Sequence, residues 1–332
     1  MNDIASMKAQ SDLRNSLNMA LSRDFRTPEL STGQVSDLLQ VHVSTVKRWF
    51  GDGGVVTSGG HRRIPLDRVL TVASERGHEV FLLDFGADAA QVWEGCEALD
   101  EGDPEPIRRL FFRWLRSGRS HLIGQLLEAL SRGGGLPTPS VLDGVYGGFM
   151  QMVGGAWADG TLGVGEERAA SRAVVETLLG LLRRHHESSK ELSDLGRPTA
   201  VVGSMAGDQH YIGPLLVRTA LVRRGWRVEY LGPDVPIEEF LITQRRVGAS
   251  LVCVSFTPPL GAPEVHRFVR VLGDLAEPDK PFAVAVGGQG AADAVLASDP
   301  APFSAIARIT SLTSLDRWVA EIPRATEVAP NG

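Results

Sequence analysis

The strongest constraint on the fold lies in the C-terminal part of the chain, where short runs of β-branched and small apolar residues alternate with amphipathic segments. The apolar runs predict strands at 200–204, 227–231, 251–255, 282–286 and 305–310, and the amphipathic segments predict helices at 213–224, 237–246 and 263–276. Strands that are apolar throughout and alternate with helices are typical of a parallel sheet covered on both faces. The sequence therefore predicts a doubly wound α/β domain over 197–322.

Three loops of this predicted domain follow the carboxyl ends of strands, where ligands bind in doubly wound sheets. They span 205–213, 255–261 and 287–290. The candidate ligand-binding residues on them are Asp208, His210, Gly213, Ser255, Thr257, Gly287 and Gly288.

The residue types in these loops fit a flat ligand that carries a metal. A neutral imidazole such as that of His210 suits a transition metal, and its second ring nitrogen needs an acceptor. Asp208 lies two residues away and can supply that acceptor. Gly213 allows backbone and ligand to approach closely, and the Ser255 hydroxyl can bond to a ring nitrogen. Taken singly, the histidine is an ordinary loop residue and the glycines are ordinary turn formers, so the prediction depends on the three loops together.

Together the loops resemble the Asp-x-His-x-x-Gly … Ser-x-Leu … Gly-Gly signature of the cobalamin-binding domain found in methionine synthase, several mutases and certain regulators. The separations, 45 residues from His210 to Ser255 and 32 from Ser255 to Gly287, also suit that family. The resemblance implies that His210 is the protein ligand to cobalt and displaces dimethylbenzimidazole. It also implies that the nucleotide tail is buried beside Ser255 and the glycine pair Gly287 and Gly288. Thr257 departs from the signature, in which leucine is common.

The region 107–190 has helical periodicity, with breaks at 133–137 and 160–165 that divide it into about four helices. A four-helix unit directly before such a sheet resembles the cap that covers the upper face of cobalamin. In light-sensing regulators of the CarH/LitR type, a tryptophan precedes a Glu-His pair by ten residues, and Trp157 and Glu167 keep that spacing. The resemblance implies that Trp157 covers the upper ligand and that Glu167 bonds to an adenosyl group, so adenosylcobalamin is the expected form.

Two positions depart from the light-sensor pattern. Arg168 stands where the pair has its histidine, and Ala158 follows Trp157 where the sensors carry a second histidine. A guanidinium stays protonated and is a poor metal ligand, so the usual bis-histidine adduct cannot form. The sequence leaves the light response and the upper axial ligand open. Without the sheet domain, Trp157 is equally well explained as a core residue.

The N-terminal region, 28–80, resembles the winged helix-turn-helix of MerR-family regulators. The pair Ser31-Thr32 is predicted to supply an N-cap for a helix at 33–39, and Ser44 is predicted to cap a second helix at 45–50. Residues 55–64 are predicted to form a two-stranded wing.

The residues expected to contact DNA lie on the second helix and the wing. The helix is expected to face the major groove, and the wing the backbone phosphates or the minor groove. The net charge of −6 argues against nucleic-acid binding, so the prediction depends on clustered basic residues. The alternative is a helical interaction module with solvated arginines. Val46 and Trp49 are expected to pack inward. The predicted contacts are Thr45, Lys47, Arg48, His61, Arg62 and Arg63.

The predicted fold class is multidomain: an N-terminal winged helix-turn-helix (α), a four-helix-bundle cap and a C-terminal Rossmann-like cobalamin-binding α/β domain. The predicted order is a flexible arm (1–27), the DNA-binding domain (28–80), a linker that contains about one helix (81–106), the cap (107–190) and the cobalamin domain (197–322).

The predicted function is a ligand-responsive transcriptional regulator, expected to be a repressor without catalytic turnover. Its expected partners are a double-stranded DNA operator, cobalamin and further copies of itself in a dimer or tetramer, because one winged helix reads only a half-site. Two cysteines, no secretory signal pattern and no long apolar run predict a cytoplasmic protein that does not span a membrane. Two alternatives remain open: a cobalamin-carrying component of a methyltransferase or mutase, and a sensor that holds another tetrapyrrole in the same cavity.

Overall fold

The structure is a computed structural model that describes residues 27–51, 55–56, 62–131, 135–188 and 196–322. The chain divides into two compact units at Glu97 and Ala98. The elements of the first unit are β1 (Glu29–Ser31), α1 (Thr32–Leu39), α2 (Val43–Phe50), β2 (Val55–Val56), β3 (Arg62–Pro65), α3 (Leu66–Glu75), a 3₁₀ helix (Phe81–Asp88) and α4 (Ala89–Asp100), in which the boundary falls.

The first unit is organised by a small antiparallel sheet with the strand order β1-β3-β2. Val55 pairs with Arg63 in the β2–β3 hairpin, which confirms the two strands predicted between 55 and 64. The chain enters α1 through a capping box: the Ser31 hydroxyl accepts from the Gln34 N–H at 3.2 Å, and the Gln34 side chain accepts from the Ser31 N–H at 2.9 Å. The Ser31 cap is therefore confirmed.

The start of α2 differs from the prediction. The helix begins at Val43, and its N-cap is His42 in place of Ser44. The His42 Nδ1 accepts from the Ser44 N–H at 3.2 Å and lies 2.8 Å from the Ser44 hydroxyl. An imidazole nitrogen can accept the bond that a cap hydroxyl usually accepts. The helix therefore begins one residue before Ser44, the residue that was predicted to cap it.

The segment 81–106 contains more helix than the predicted linker with its single helix. It contains the 3₁₀ helix and α4, and the next helix begins at Glu105. Leu82, Phe85 and Val92 are buried, and burial of their apolar surface keeps the segment folded. Gly102, with φ 91°, does end the helical stretch as its residue type indicates.

The second unit begins with a helical region, Glu105–Ser188. Its elements are α5 (Glu105–Arg116), α6 (His121–Ala129), a short turn of helix (Pro139–Val141), a π-helical segment (Leu142–Gly147), α7 (Gly148–Ala158) and α8 (Val164–Ser188). Buried aromatic rings hold these helices together, and Phe111 lies edge-on to Phe149 with 5.3 Å between ring centroids.

A five-stranded parallel sheet follows, with helices between its strands, which confirms the Rossmann-like α/β domain. Its elements are β4 (Thr199–Met205), α9 (Ile212–Arg223), β5 (Arg227–Val235), α10 (Ile237–Val247), β6 (Leu251–Ser255), α11 (Ala262–Leu275), β7 (Ala283–Gly287), a 3₁₀ turn (Gln289–Ala291), β8 (Ala305–Ile309) and α12 (Leu312–Glu321). All five strands were predicted; β5 is longer than expected, and α12 was not predicted. No helix in the described part of the chain is long and apolar enough to cross a membrane.

The strand order β5-β4-β6-β7-β8 places the ligand-binding edge. From β4 the chain passes to β5 on one side and returns to β6 on the other, so the order reverses between β4 and β6. The register aligns Ser204 with Ser255, and Ser255 with Gly287. The three strands therefore end at one level, and the loops that follow them converge at the switch point.

Candidate ligand-binding site at the carboxyl edge of the sheet

The centre of the candidate site is the carboxylate of Asp208, whose side chain is fully buried. Its Oδ1 lies 2.8 Å from the His210 Nδ1 and accepts from the His210 N–H at 2.9 Å. Its Oδ2 accepts from the Thr257 N–H at 2.8 Å. A buried carboxylate needs such partners to offset the loss of hydration. These bonds join the loop after β4 to the loop after β6.

His210 is held by this carboxylate and remains open on its other side. Its side chain is 66% exposed, and the Ser204 hydroxyl donates to its backbone carbonyl at 2.6 Å. Because Asp208 accepts from Nδ1, the tautomer that the contact favours leaves the Nε2 lone pair available to a metal.

The kind of metal that His210 can bind is restricted by its surroundings. Among the described residues, no group of three or more His, Cys, Asp or Glu side chains could hold a metal ion. A single imidazole is not a metal site by itself, because protein-built sites use several ligands. His210 therefore suits a metal that brings its remaining ligands with it, as a metal in a planar macrocycle does.

A second carboxylate supports the same loop and was missed in the sequence. Asp234, at the end of β5, accepts from the Gly207 N–H at 2.8 Å and from the Gln209 side chain at 2.9 Å. Its own N–H donates to the Asp208 carbonyl at 2.9 Å. The available signal was the Gly-Pro-Asp turn sequence at the end of the strand.

Glycines allow the three loops to pack backbone against backbone. A Cβ on Gly288, where φ is +92°, would lie 2.4 Å from the Phe256 carbonyl oxygen, and one on Gly213 would lie 3.1 Å from the Ser255 Oγ. Gly290, which sequence reasoning did not select, is equally constrained, because its Cβ would lie 2.2 Å from the Leu260 carbonyl oxygen. Larger residues would push these loops apart.

A cavity of about 190 Å³ lies between the ends of the strands, α9 and the helical region. Four predicted residues line it: Gly213, Ser255, Gly287 and Gly288. The other three predicted residues on these loops, Asp208, His210 and Thr257, form the hydrogen-bonded group described above and are not part of the lining.

The cavity is mostly apolar, which suits a heterocyclic ring with the Ser255 hydroxyl as a polar partner. Its floor includes Cys253, and burial raises the pKa of that thiol. The glycine-lined walls and the oriented imidazole therefore fit a large planar ligand with a metal at one end and a ring-bearing tail at the other.

The two predicted residues of the helical region lie on either side of the turn between α7 and α8. Trp157 is 54% exposed, so it is not a core residue. Glu167 accepts from the Ser171 hydroxyl at 2.7 Å and pairs with Arg168 at 3.4 Å. Neither Trp157 nor Glu167 is among the residues that line the 190 Å³ cavity.

Three of the residues predicted to contact DNA lie on α2, and two of them are exposed at its surface. Lys47 and Arg48 are exposed and Thr45 is half-buried, whereas Val46 is buried as predicted. Trp49 is half-buried, with its ring 4.9 Å from that of His78. Phe50, which was not predicted to face the core, is buried.

The predicted hairpin residues lie at the start of β3. Arg62 and Arg63 are half-buried, and the Arg62 guanidinium donates to the Gly51 carbonyl at the end of α2. This bond ties the hairpin to the helix that carries Lys47 and Arg48. His61 lies outside the described residues.

Comparison with known proteins agrees with the geometry of the sheet edge. Residues 198–301 match the B12 binding domain. Over 94 residues the chain is 38% identical to the HTH-type transcriptional repressor CarA of Myxococcus xanthus, an alignment that covers 28% of this chain and 32% of the repressor. Over 125 residues it is 32% identical to dimethylamine corrinoid protein 3 of Methanosarcina mazei, covering 38% of this chain and 71% of that protein.

Among solved structures, that of the Methanosarcina barkeri monomethylamine corrinoid protein aligns with a TM-score of 0.44 at 18% identity, covering 62% of this chain and 91% of that one. The chain spans about a third of the length of the curated repressor that it matches.

Proposed function

The chain belongs to the family of corrinoid proteins that carry a B12 binding domain, and we propose that it is a transcriptional regulator that responds to cobalamin. The observation that carries this proposal is the buried Asp208 carboxylate, which holds the exposed His210 imidazole by Nδ1 at the switch point of the sheet. An imidazole oriented in this way could give its Nε2 nitrogen to a metal that arrives in a macrocycle.

In this proposal each part of the site has one task. His210 would bind cobalt through Nε2, and Asp208 would fix its tautomer. Ser255 and the glycines at 213, 287 and 288 would receive the nucleotide tail, and Trp157 and Glu167 would contact the ligand on the other side of the cobalt. When bound, the corrin supplies a cobalt centre whose upper ligand can be lost or exchanged. The expected form is adenosylcobalamin.

The first unit is proposed to bind DNA as a winged helix-turn-helix. The supporting observations are the succession of α1, α2 and the β2–β3 hairpin, the exposed Lys47 and Arg48, and the bond from Arg62 to the end of α2. α2 would lie in the major groove of an operator. One such unit reads a half-site, so a homo-oligomer, acting as a repressor, is part of the proposal.

The test is reconstitution of the full chain with adenosyl-, methyl- and hydroxocobalamin in darkness, followed by binding to genomic DNA fragments with and without the ligand. We expect retained corrin absorbance, and DNA fragments whose selection depends on the ligand. A protein that retains no corrin, or one that shows a haem- or bilin-like spectrum, contradicts the cobalamin assignment. Retained corrin without any DNA binding contradicts the regulatory assignment.

Light is tested on the same samples. Arg168 pairs with Glu167, and Ala158 has no metal-binding side chain. A change in oligomer size after green light would establish photoresponse by a route other than bis-histidine ligation. An unchanged assembly would establish a cobalamin sensor that does not respond to light.

A second candidate function is a cobalamin-carrying component of a methyltransferase. The observation that favours it is the alignment with 71% of a dimethylamine corrinoid protein. The chain would then carry a methyl group on cobalt and need a partner to supply the substrate site. Methyl transfer by the reduced, reconstituted chain in a lysate, together with an absence of DNA binding, would favour this candidate over the regulator.

A further inference from the structure

One carboxylate of the helical region bonds to the sheet domain at the wall of the 190 Å³ cavity. Asp143 lies in the π-helical segment and is half-buried. Its Oδ1 accepts from the Leu312 N–H at 2.8 Å, and its Oδ2 accepts from the Thr313 N–H at 3.0 Å and from the Thr313 hydroxyl at 3.0 Å. The two partners are 169 and 170 residues away along the chain.

These bonds provide hydrogen-bond acceptors for the N–H groups at the N-terminus of α12. The first N–H groups of a helix have no partner within it. Here Asp143 accepts from the first two, and the Ser311 hydroxyl accepts from the Ser314 N–H at 3.0 Å. A negative charge at this end of a helix is also stabilised by the helix dipole. The contact is therefore a specific, charge-assisted attachment between the helical region and α12.

The attachment lies at the cavity itself. Leu142, Asp143, Gly147 and Gln151 line the cavity from the helical region, and residues 309–312 and Leu315 line it from the sheet domain. Leu142 and Leu312 are buried on either side of the contact. The contact therefore holds these two walls of the cavity together, and its loss would leave them free to separate.

Based on the proposed function, we infer that Asp143 is a clasp that controls how long the nucleotide tail of a corrinoid stays bound. It is a positioning residue, because it acts through the wall that it holds. The inference gives different expectations for two kinds of ligand. The clasp should slow the release of corrinoids that have a nucleotide tail. It should not change the binding of a tailless corrinoid, which does not fill the cavity.

The test compares release of hydroxocobalamin with binding of cobinamide, its tailless analogue, using the full chain. We expect Asp143→Ala to accelerate cobalamin release at least about tenfold, because it removes three hydrogen bonds to a charged group and the loss of one such bond already has an effect of about tenfold. We expect the affinity of Asp143→Ala for cobinamide to stay within about twofold of the wild-type affinity, because a twofold change is smaller than the effect of losing one hydrogen bond. Asp274→Ala, which removes an exposed charge on α11, is the matched control and should change neither.

Thr313→Val tests the same clasp from the other side with a smaller perturbation, because it removes only the hydroxyl bond. It should accelerate cobalamin release by a smaller factor than Asp143→Ala. If Asp143→Ala fails to fold, the release rate of Thr313→Val decides whether the clasp controls cobalamin release. Unchanged cobalamin release in a folded variant overturns the inference, and so does an equal loss of cobalamin and cobinamide.

Failure of the proposed function gives a different result. A wild-type chain that binds no cobalamin refutes the proposed function and with it the corrinoid tail as the ligand of the cavity, so that only the attachment of Asp143 to α12 is left to be tested. In that case, hydrogen exchange of the Leu312 and Thr313 amides should be faster in Asp143→Ala than in wild type. Equal exchange rates would refute the clasp as well.

Discussion

The carboxylate of Asp208 is fully buried, and the His210 ring that it holds at 2.8 Å is two-thirds exposed. The pair thus has one end fixed inside the protein and the other open to a ligand. Since Asp208 also accepts from the Thr257 N–H, the imidazole is tied to two loops, and its orientation is established before any ligand binds.

The first prediction concerns this pair. His210→Ala should remove the absorbance of nitrogen-ligated cobalt from bound cobinamide, because cobinamide has no dimethylbenzimidazole of its own and can take a nitrogen ligand only from the protein. Asp208→Asn should weaken cobalamin binding by about 10- to 100-fold, because residues that hydrogen-bond to a metal ligand have effects of that size. Titration with cobinamide measures the first effect, and titration with hydroxocobalamin measures the second. His266→Ala is the matched control, since His266 is an exposed histidine of the same domain. A normal spectrum in His210→Ala would reject the axial-ligand assignment.

The second prediction separates backbone strain from close packing. Gly225 and Gly288 have similar φ angles, 87° and 92°, but only a Cβ on Gly288 would meet another atom within 4 Å, the nearest at 2.4 Å. Gly225→Ala should lower the free energy of unfolding by about 1 kcal/mol, and Gly288→Ala by about 3 kcal/mol or more, because overpacking adds its own cost. Urea denaturation of both variants measures the difference. Equal losses would show that the third loop has room to move.

The third prediction concerns DNA. Arg48→Ala should weaken DNA binding and reduce the slope of log K against log salt by about 0.9, the contribution of one phosphate contact. Corrin uptake should not change. Arg270→Ala, which removes an exposed arginine from the second unit, controls for overall charge. Arg62→Ala should weaken binding too, but it also removes the bond to Gly51. If DNA binding survives both Arg48→Ala and Arg62→Ala unchanged, the winged-helix assignment is wrong.

The fourth prediction is a pH dependence at the start of α11. The Glu264 side chain accepts from the Gly261 N–H at 2.8 Å, and this bond, together with the Glu264 N–H, lowers the carboxyl pKa below its ordinary value of 4.5. The folded state therefore binds this proton less readily than the unfolded chain, so the ionised carboxylate stabilises the fold above pH 4.5. That contribution is lost as pH falls through the lowered pKa.

Thermal unfolding of wild type and Glu264→Gln checks this sign. The wild-type Tm should exceed that of the variant near neutral pH, and the two should converge on acidification. A difference that stays constant down to the acid range would contradict the assignment.

The fifth prediction uses the thiol in the floor of the cavity. Cys253 is buried, and burial raises the pKa of its thiol, so little thiolate forms at neutral pH. In a Cys96→Ser background, a disulfide reagent should modify Cys253 only as fast as the protein unfolds. Modification should become rapid in denaturant. Fast reaction in the folded chain would show that the cavity opens to solvent more readily than the structure indicates.

The sequence was informative wherever the interaction is local. Apolar runs predicted all five parallel strands, and Asp208 and His210 are two residues apart, so their contact follows from a loop motif. The contact of Asp143 with Leu312 spans 169 residues, and no local pattern encodes it.

Two of the errors have the same physical origin, a contact between residues that are distant in the sequence. Gly290 was overlooked because its constraint comes from the Leu260 carbonyl of another loop. Asp234 was overlooked because its partners lie on the loop after β4. The His42 cap is local, but a histidine nitrogen in a role usually filled by a hydroxyl is a rare residue choice. The DNA-binding unit and the cap over the corrin remain predictions.

The contact between Asp143 and α12 depends on the number of residues in the π-helical segment Leu142–Gly147 as well as on their identity. A π-helical turn amounts to one extra residue inserted into an α-helix. Deleting a single residue between Asp143 and α7 would restore regular helix and rotate Asp143 by about 100° about the helix axis. The carboxylate would then leave the amides of α12, although every side chain of the contact would still be present. Relatives that lack this insertion would have to fasten the two parts of the unit in another way.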